Sequence, residues 1–293
     1  KQFTLQQILF EPQNAKETIE NNNLVEFQVV MDDLDLIITS DNITYQFVLA
    51  GNIFSQLNEW GFAKKAFTRV TELDPEYAEG WAFLGNSLNK NGENGYYALE
   101  KALKLSPSSK ITRAFLASYW RDQLEFPKSI DIYRSLLEEE KDEPVWYQEL
   151  GNTYIQMGDL DAAFEAFQIT TTLAPEIPYY WLNLARFSGE YRYEIKSIGI
   201  PAARHALLID DQNWEVNDLL GWLYILESDF TTAERFLSRA YQSMPDNPLV
   251  NLHLGQLYSL QNRASLANYY LEKCISLTTD KEIVKLANKF LLP

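Results

Sequence analysis

One small residue recurs along the chain at a nearly fixed step. Gly51, Gly85, Ala117, Gly151, Ala185, Gly221 and Gly255 are separated by 34, 32, 34, 34, 36 and 34 residues. A second small residue follows each, at Ala63, Gly95, Ser129, Ala163, Gly199, Ala233 and Ala267, after 12, 10, 12, 12, 14, 12 and 12 residues. Both departures from 34 fall between paired small residues, and the register recovers after each. A chain with this kind of self-similarity stacks copies of one supersecondary unit, since a single copy cannot bury its own apolar face.

The best-formed copy, residues 144–177, reads PVWYQELGNTYIQMGDLDAAFEAFQITTTLAPEI. Its two apolar-periodic segments, Trp146 to Gln156 and Asp161 to Leu173, have helical rather than strand period. Two helices approach closely only where side chains are small, so Gly151 and Ala163 are expected to form the contact. Tyr147, Tyr154 and Phe167 would fill the space around it. Gly158 suits a left-handed turn between the helices. Pro175 ends the second helix, and equivalent prolines stand at Pro75, Pro107 and Pro245.

These residues resemble the tetratricopeptide repeat, whose pattern is W-x2-L-G-x2-Y, then A-x3-F, then P. Residues 144–177 carry Tyr147, Leu150, Gly151, Tyr154, Ala163, Phe167 and Pro175 in those places. Residues 44–77 carry Phe47, Ala50, Gly51, Phe54, Ala63, Phe67 and Pro75, and residues 214–247 carry Leu220, Gly221, Tyr224, Ala233, Leu237 and Pro245. The unit 78–109 keeps Trp81, Leu84 and Gly85; 178–213 keeps Trp181 and Leu184; 110–143 and 248–281 are looser. The resemblance implies an all-α, right-handed superhelical solenoid of about seven helix pairs over 44–281. An N-terminal helical cap or extension at 1–43 and a C-terminal capping helix at 282–293 would close its ends.

The flanks and the two slips are the irregular places. Leu24, Phe27, Met31, Leu34 and Ile38 mark one amphipathic helix before the array, read as a cap, with docking or dimerisation as the alternative. The shortened connection at 86–94 holds Asn91-Gly92 and leads into Asn94-Gly95, and reads as a tight turn. The lengthened one, 186–198, carries Tyr191, Arg192, Tyr193 and Lys196, a basic and aromatic island expected to be a loop packed on the neighbouring repeat. Acidic runs at Asp32-Asp33-Leu34-Asp35 and Glu138–Glu140 read as solvated faces. At the end, Ile283, Leu286, Ala287 and Phe290 line one face of a helix, with lysines on the other.

Charge and composition exclude several functions. Asp and Glu outnumber Lys and Arg by 41 to 25, for a net charge of −16, which opposes binding to nucleic acid and to anionic membrane surfaces. No run approaches the ~18 apolar residues of a membrane span. A single cysteine, Cys274, allows no intrachain disulfide and fits a reducing, cytoplasmic setting, although an upstream signal or anchor would change that reading. Asn42-Ile43-Thr44 is a lone glycosylation triplet of a kind common by chance. His205 and His253 have no metal-type spacing to each other or to Cys274, and no phosphate-binding, dinucleotide or nucleophile-elbow motif is present. No cofactor, metal or enzymatic activity is expected.

The resemblance implies instead a protein-interaction scaffold whose first helices line a concave groove. The slot after each small residue holds Asn52, Asn86, Ser118, Asn152, Arg186, Trp222 and Gln256. Neighbouring groove positions are Tyr45, Phe83, Phe115, Gln148, Tyr179, Asn183, Asp218 and His253. Asparagine both donates and accepts, so it suits a peptide backbone. The expected peptide-binding set is Asn52, Phe83, Asn86, Phe115, Gln148, Asn152, Tyr179, Asn183, Arg186 and Trp222, and the acidic surface favours a neutral or basic segment. The family's clamp for a terminal carboxylate is not expected. Asn152 and Asn183 occupy its asparagine places, but its basic places hold Gln148, Glu215 and Leu219. The alternatives are a self-assembly module and a docking or regulatory domain of a larger enzyme or complex.

Overall fold

Helix signals recur at the same place in each copy of the period. The computed structural model describes residues 42–292, and fifteen α-helices account for most of them. The readings for residues 1–41, including the amphipathic helix and the first acidic run, lie outside the described residues.

The helices fall in pairs: α1 (Ile43–Gln56) with α2 (Trp60–Leu73), α3 (Ala78–Lys90) with α4 (Tyr96–Leu105), and α5 (Lys110–Asp122) with α6 (Phe126–Glu139). They continue as α7 (Pro144–Met157) with α8 (Leu160–Leu173), α9 (Pro178–Glu190) with α10 (Ile200–Ile209), and α11 (Trp214–Leu226) with α12 (Phe230–Ser243). The last are α13 (Pro248–Leu260) with α14 (Ala264–Leu277), then the single helix α15 (Lys281–Phe290). Two compact units divide between Lys141 and Asp142, so that α1–α6 belong to the first and α7–α15 to the second.

Local chemistry starts and stops these helices. Asn42, Ser109, Asp159, Asn213, Asp229, Asn247 and Asp280 each accept a backbone N–H of the first turn. Asn42 of the glycosylation triplet is thus the N-cap of α1. Pro144, Pro178 and Pro248 open their helices, where a missing N–H is harmless.

The first helix of every pair leaves through the same backbone state. The seventh residue after each small slot is left-handed: Asn58, Gly92, Leu124, Gly158, Arg192, Ser228 and Asn262, with φ of 56°, 78°, 62°, 87°, 52°, 61° and 58°. Two of the seven are glycine and two asparagine, which tolerate this state; at Leu124, Arg192 and Ser228 the packing of the pair imposes it against local preference.

The small slots admit a large side chain of the second helix, as expected of Phe167 in the best-formed copy. A Cβ on Gly51 would lie 2.5 Å from the Phe67 ring, and those on Gly151, Gly221 and Gly255 would run into Phe167, Leu237 and Leu271. In each case the large side chain sixteen residues on occupies the space, so Gly151 receives the ring of Phe167. In the shortened copy the same role falls to Leu99, fourteen residues after Gly85.

Tryptophans tie one copy to the next. Trp81 Nε1 donates to the carbonyl of Pro75 at 2.9 Å, and Trp181 Nε1 to that of Pro175 at 2.8 Å. Asn251 does the same at the equivalent position, donating to Pro245 at 2.8 Å. At Pro75, Pro175 and Pro245 the carbonyl that follows the second helix is thus satisfied by the first helix of the next pair.

Both slips are absorbed in ways that differ from expectation. The shortened connection is not a tight turn: residues 91–95 separate α3 from α4, and the missing length comes off α4, which has 10 residues where α2 has 14. Gly95 packs backbone to backbone on the Gly85 carbonyl, and its N–H donates to Asn89 Oδ1 at 2.8 Å. The added length near 186–198 is mostly helical: Ile195–Gly199 form a π-turn that runs directly into α10. Tyr193 packs there on Phe164 and Phe187, and its hydroxyl donates to Asp161 of the preceding pair at 2.8 Å.

Each unit has its own core. In the first, Val48, Ile53, Phe54, Phe67 and Val70 meet between α1, α2 and α3. In the second, Phe167, Leu184, Phe187, Leu220, Leu223, Leu237 and Leu254 form a continuous apolar interior. The helix α15 closes the end of that unit. Ile283, Ala287 and Phe290 pack on Leu252, Leu271 and Cys274, while the Phe290 carbonyl accepts from Ser259 at 2.7 Å. Leu286 is 41% exposed, so it is the least covered of the four apolar residues expected on that face.

Candidate functional site

Since the small slot is buried by its partner helix, the residue after it stands at the edge of the covered strip. Asn52, Asn86, Ser118, Asn152, Arg186, Trp222 and Gln256 are all half-buried, one from the first helix of each pair.

In the first unit the aromatic candidates are already occupied. Phe83 stacks on Phe67 with ring centroids 5.1 Å apart and meets Phe115 edge-on at 5.8 Å. The two rings therefore pack α3 against α2 and α5, with partial exposure left over. Ser118 accepts from Arg121 at 3.2 Å, and Tyr45 is exposed.

In the second unit the candidates separate into two groups. Gln148 is only 4% exposed and its Oε1 has no hydrogen-bond partner; Asn183 Nδ2 is likewise buried without one. Asn152 Nδ2 donates to Glu149 at 3.3 Å, and Tyr179 is exposed against the edge of Tyr180. Arg186 and Trp222 belong to a second, better-organised group. The Arg186 guanidinium pairs with Glu215 of the next first helix. Trp222 lies flat on His253 with centroids 5.9 Å apart, and its ring edge fills the space left by Gly189 on α9. His253 Nδ1 sits 3.0 and 2.9 Å from the two carboxylate oxygens of Asp218.

These side chains line two depressions. One, of 220 Å³, is bounded by Arg186, Glu190, Trp214, Glu215, Asp218, Leu219, Trp222, Leu249 and His253. The other, of 660 Å³, continues over Trp222, Leu249, Leu252, His253 and Gln256 to Glu282, Ile283, Lys285, Leu286 and Lys289 of α15. Trp222, Leu249 and His253 are common to both. Burial pushes the Glu190 carboxyl above its ordinary value, opposed by the nearby Arg186 charge.

Glu190, Trp214, Leu249 and the α15 residues were not among the expected positions. A signal for the last was available. One further step of 34 from Gly255 lands on Lys289, which puts Leu286 in register with Asp218 and Leu252, three before the slot.

The remaining chemistry-bearing residues pack inward or sideways. His205 stacks on Trp181 with centroids 4.0 Å apart. Cys274 is fully buried, and burial pushes its thiol up to about 11. Among the described residues no group of acidic, His or Cys side chains could hold a metal ion. No helix among them is long and apolar enough to cross a membrane.

Comparison with known proteins agrees with this architecture. The family model described as tetratricopeptide repeat matches residues 147–176. No curated protein matches the chain in sequence. Among solved structures, a tetratricopeptide repeat protein from Parabacteroides merdae superposes with a TM-score of 0.60 at 15% identity, covering 84% of this chain and 98% of that one. A chain of the APC/C hetero-tetramer Cut9–Hcn1 gives 0.62 at 16% identity, over 96% of this chain and 59% of that one. PilF of Pseudomonas aeruginosa gives 0.55 at 18% identity, over 73% and 98%. At these identities the likeness is one of fold.

Proposed function

We propose that this tetratricopeptide-repeat protein is a non-catalytic scaffold that receives a peptide or helix of a partner protein on the faces of its first helices. Binding protein partners is the typical use of the fold. The candidate residues are Asn52, Phe83, Asn86 and Phe115 in the first unit, and Gln148, Asn152, Tyr179, Asn183, Arg186 and Trp222 in the second. The observation that carries the reading is the cavity of 220 Å³ where Arg186 and Trp222 meet, apolar at its base and ringed by charge. An apolar pocket with a few convergent polar groups is what a partner side chain requires. The acid-rich surface favours a neutral or basic segment.

Site-specific photo-crosslinking in the native cell tests this. A crosslinker replacing Asn152 or Trp222 should capture partner protein, while one replacing Arg235 on the outward α12 should not. Capture from Arg235 alone would place binding on the other surface and refute the proposal.

A further inference from the structure

The two depressions share one wall, and their outer ends carry opposite free charges. Along the shared wall, Trp222, Leu249 and His253 provide an apolar and aromatic floor. Most charges at the margins are already answered: Arg186 by Glu215, Asp218 by His253, and Lys285 by Glu282 at 3.2 Å. Two are not. Glu190, on the α9 side of the first depression, forms no ion pair among the described residues; the nearby Arg186 charge acts on it, but that guanidinium is paired with Glu215. Lys289, on α15 beyond the second, also forms none. The trough therefore has a carboxyl group without an ion pair at one end and an ammonium group without one at the other.

We infer that this trough of the second unit takes a partner segment of fixed polarity: a cationic residue over Glu190, an apolar middle over Trp222 and Leu249, and an anionic residue over Lys289. This deepens the scaffold reading and rests on it. Of the neutral and basic segments that the net charge of −16 favours, it selects a neutral one with charged ends, because the net charge says nothing about the local cation on α15. Charge complementarity of this kind fixes register and direction more than raw affinity.

The test uses three short fluorescein-labelled peptides with the same leucine-rich middle and different ends: one cationic and one anionic, both cationic, or both anionic. Fluorescence anisotropy should rank the mixed peptide tightest on the native protein, by about 2- to 5-fold, the range for a solvent-exposed ion pair. Glu190→Lys should move first rank to the peptide with two anionic ends. Lys289→Glu should move it to the one with two cationic ends. Both positions are exposed enough that the fold should hold, which far-ultraviolet circular dichroism checks directly. A ranking that neither charge reversal alters, equal binding of a peptide with serine in place of the leucines, or no binding of any peptide at millimolar concentration would overturn the inference. If crosslinking places a partner on the first-helix face and the ranking is still unaltered, only the polarity fails and the scaffold reading survives.

Discussion

Leu124 occupies the left-handed exit of α5 with φ 62°, and its side chain is 69% exposed. Replacing it by glycine should stabilise the protein. A left-handed conformation costs an L-residue about 1–2 kcal/mol, which glycine avoids. Glycine in turn adds about 0.4–1 kcal/mol of disorder to the unfolded chain. The lost burial is small at this exposure, so Leu124→Gly should gain about 0.5–1 kcal/mol. The reciprocal change is equally clean, because a Cβ on Gly158 would meet nothing within 4 Å. Gly158→Ala should therefore lose about 1 kcal/mol for conformational reasons alone. Asn262→Gly should gain less than Leu124→Gly, since asparagine tolerates this region better. Thermal unfolding followed by circular dichroism reads these as shifts of about 2–4 °C per kcal/mol for a chain of this size. Amide exchange at the two turns locates the change. A Leu124→Gly protein that is no more stable than the parent, or a neutral Gly158→Ala, would refute the view that packing imposes the turn against local preference.

Three further outcomes follow from the packing. Gly151→Ala should lower stability by about 1–3 kcal/mol through overpacking against Phe167, reduced by up to ~1 kcal/mol from alanine's helix propensity. The control Gly61→Ala, a half-buried helical glycine whose added Cβ would have Asn91 Oδ1 at 3.6 Å as its nearest neighbour, should be neutral or stabilising; urea titration measures both variants. Trp181→Phe should cost about 1 kcal/mol from the lost bond to Pro175, besides any change in packing, and should speed amide exchange in α9. Cys274 should resist a thiol reagent at pH 8 until the second unit unfolds. Because its thiol is raised in the folded state, the stability it contributes is full below the unfolded value of ~8.5 and declines as pH rises towards 11. Rapid stoichiometric labelling of the native protein at pH 8 would contradict the burial.

The helix pairs were legible because their signals are local. A small slot, a turn residue seven later and a proline lie within one copy of the period and repeat. What the sequence hid was tertiary. That the ring of Phe167 comes nearest of all to Gly151 depends on how the two helices cross and not on residue size alone. A change of length shows where residues are gained or lost, but not which element takes them up; hence the shortened α4 and the π-turn at Ile195–Gly199. In the candidate site, Arg186 and Trp222 were found by register. Their partnerships, Arg186 with Glu215 and Asp218 with His253, join residues 29 and 35 positions apart, beyond any helical period. The exposure of Leu286 follows from the register of α15, which continues that of the first helices.

The left-handed exit has a consequence for how such a chain tolerates change. From that residue to the second small residue, the spacings are 5, 3, 5, 5, 7, 5 and 5. From the first small residue to the exit they are all 7. Both departures from the period thus fall downstream of the exit, towards the second helix of the pair. The first helices keep their register across both, so loops or tags added just after Asn58 or Ser228 should leave the alignment of the residues after the small slots intact. The same additions before those residues would turn every later side chain of that helix to a new bearing.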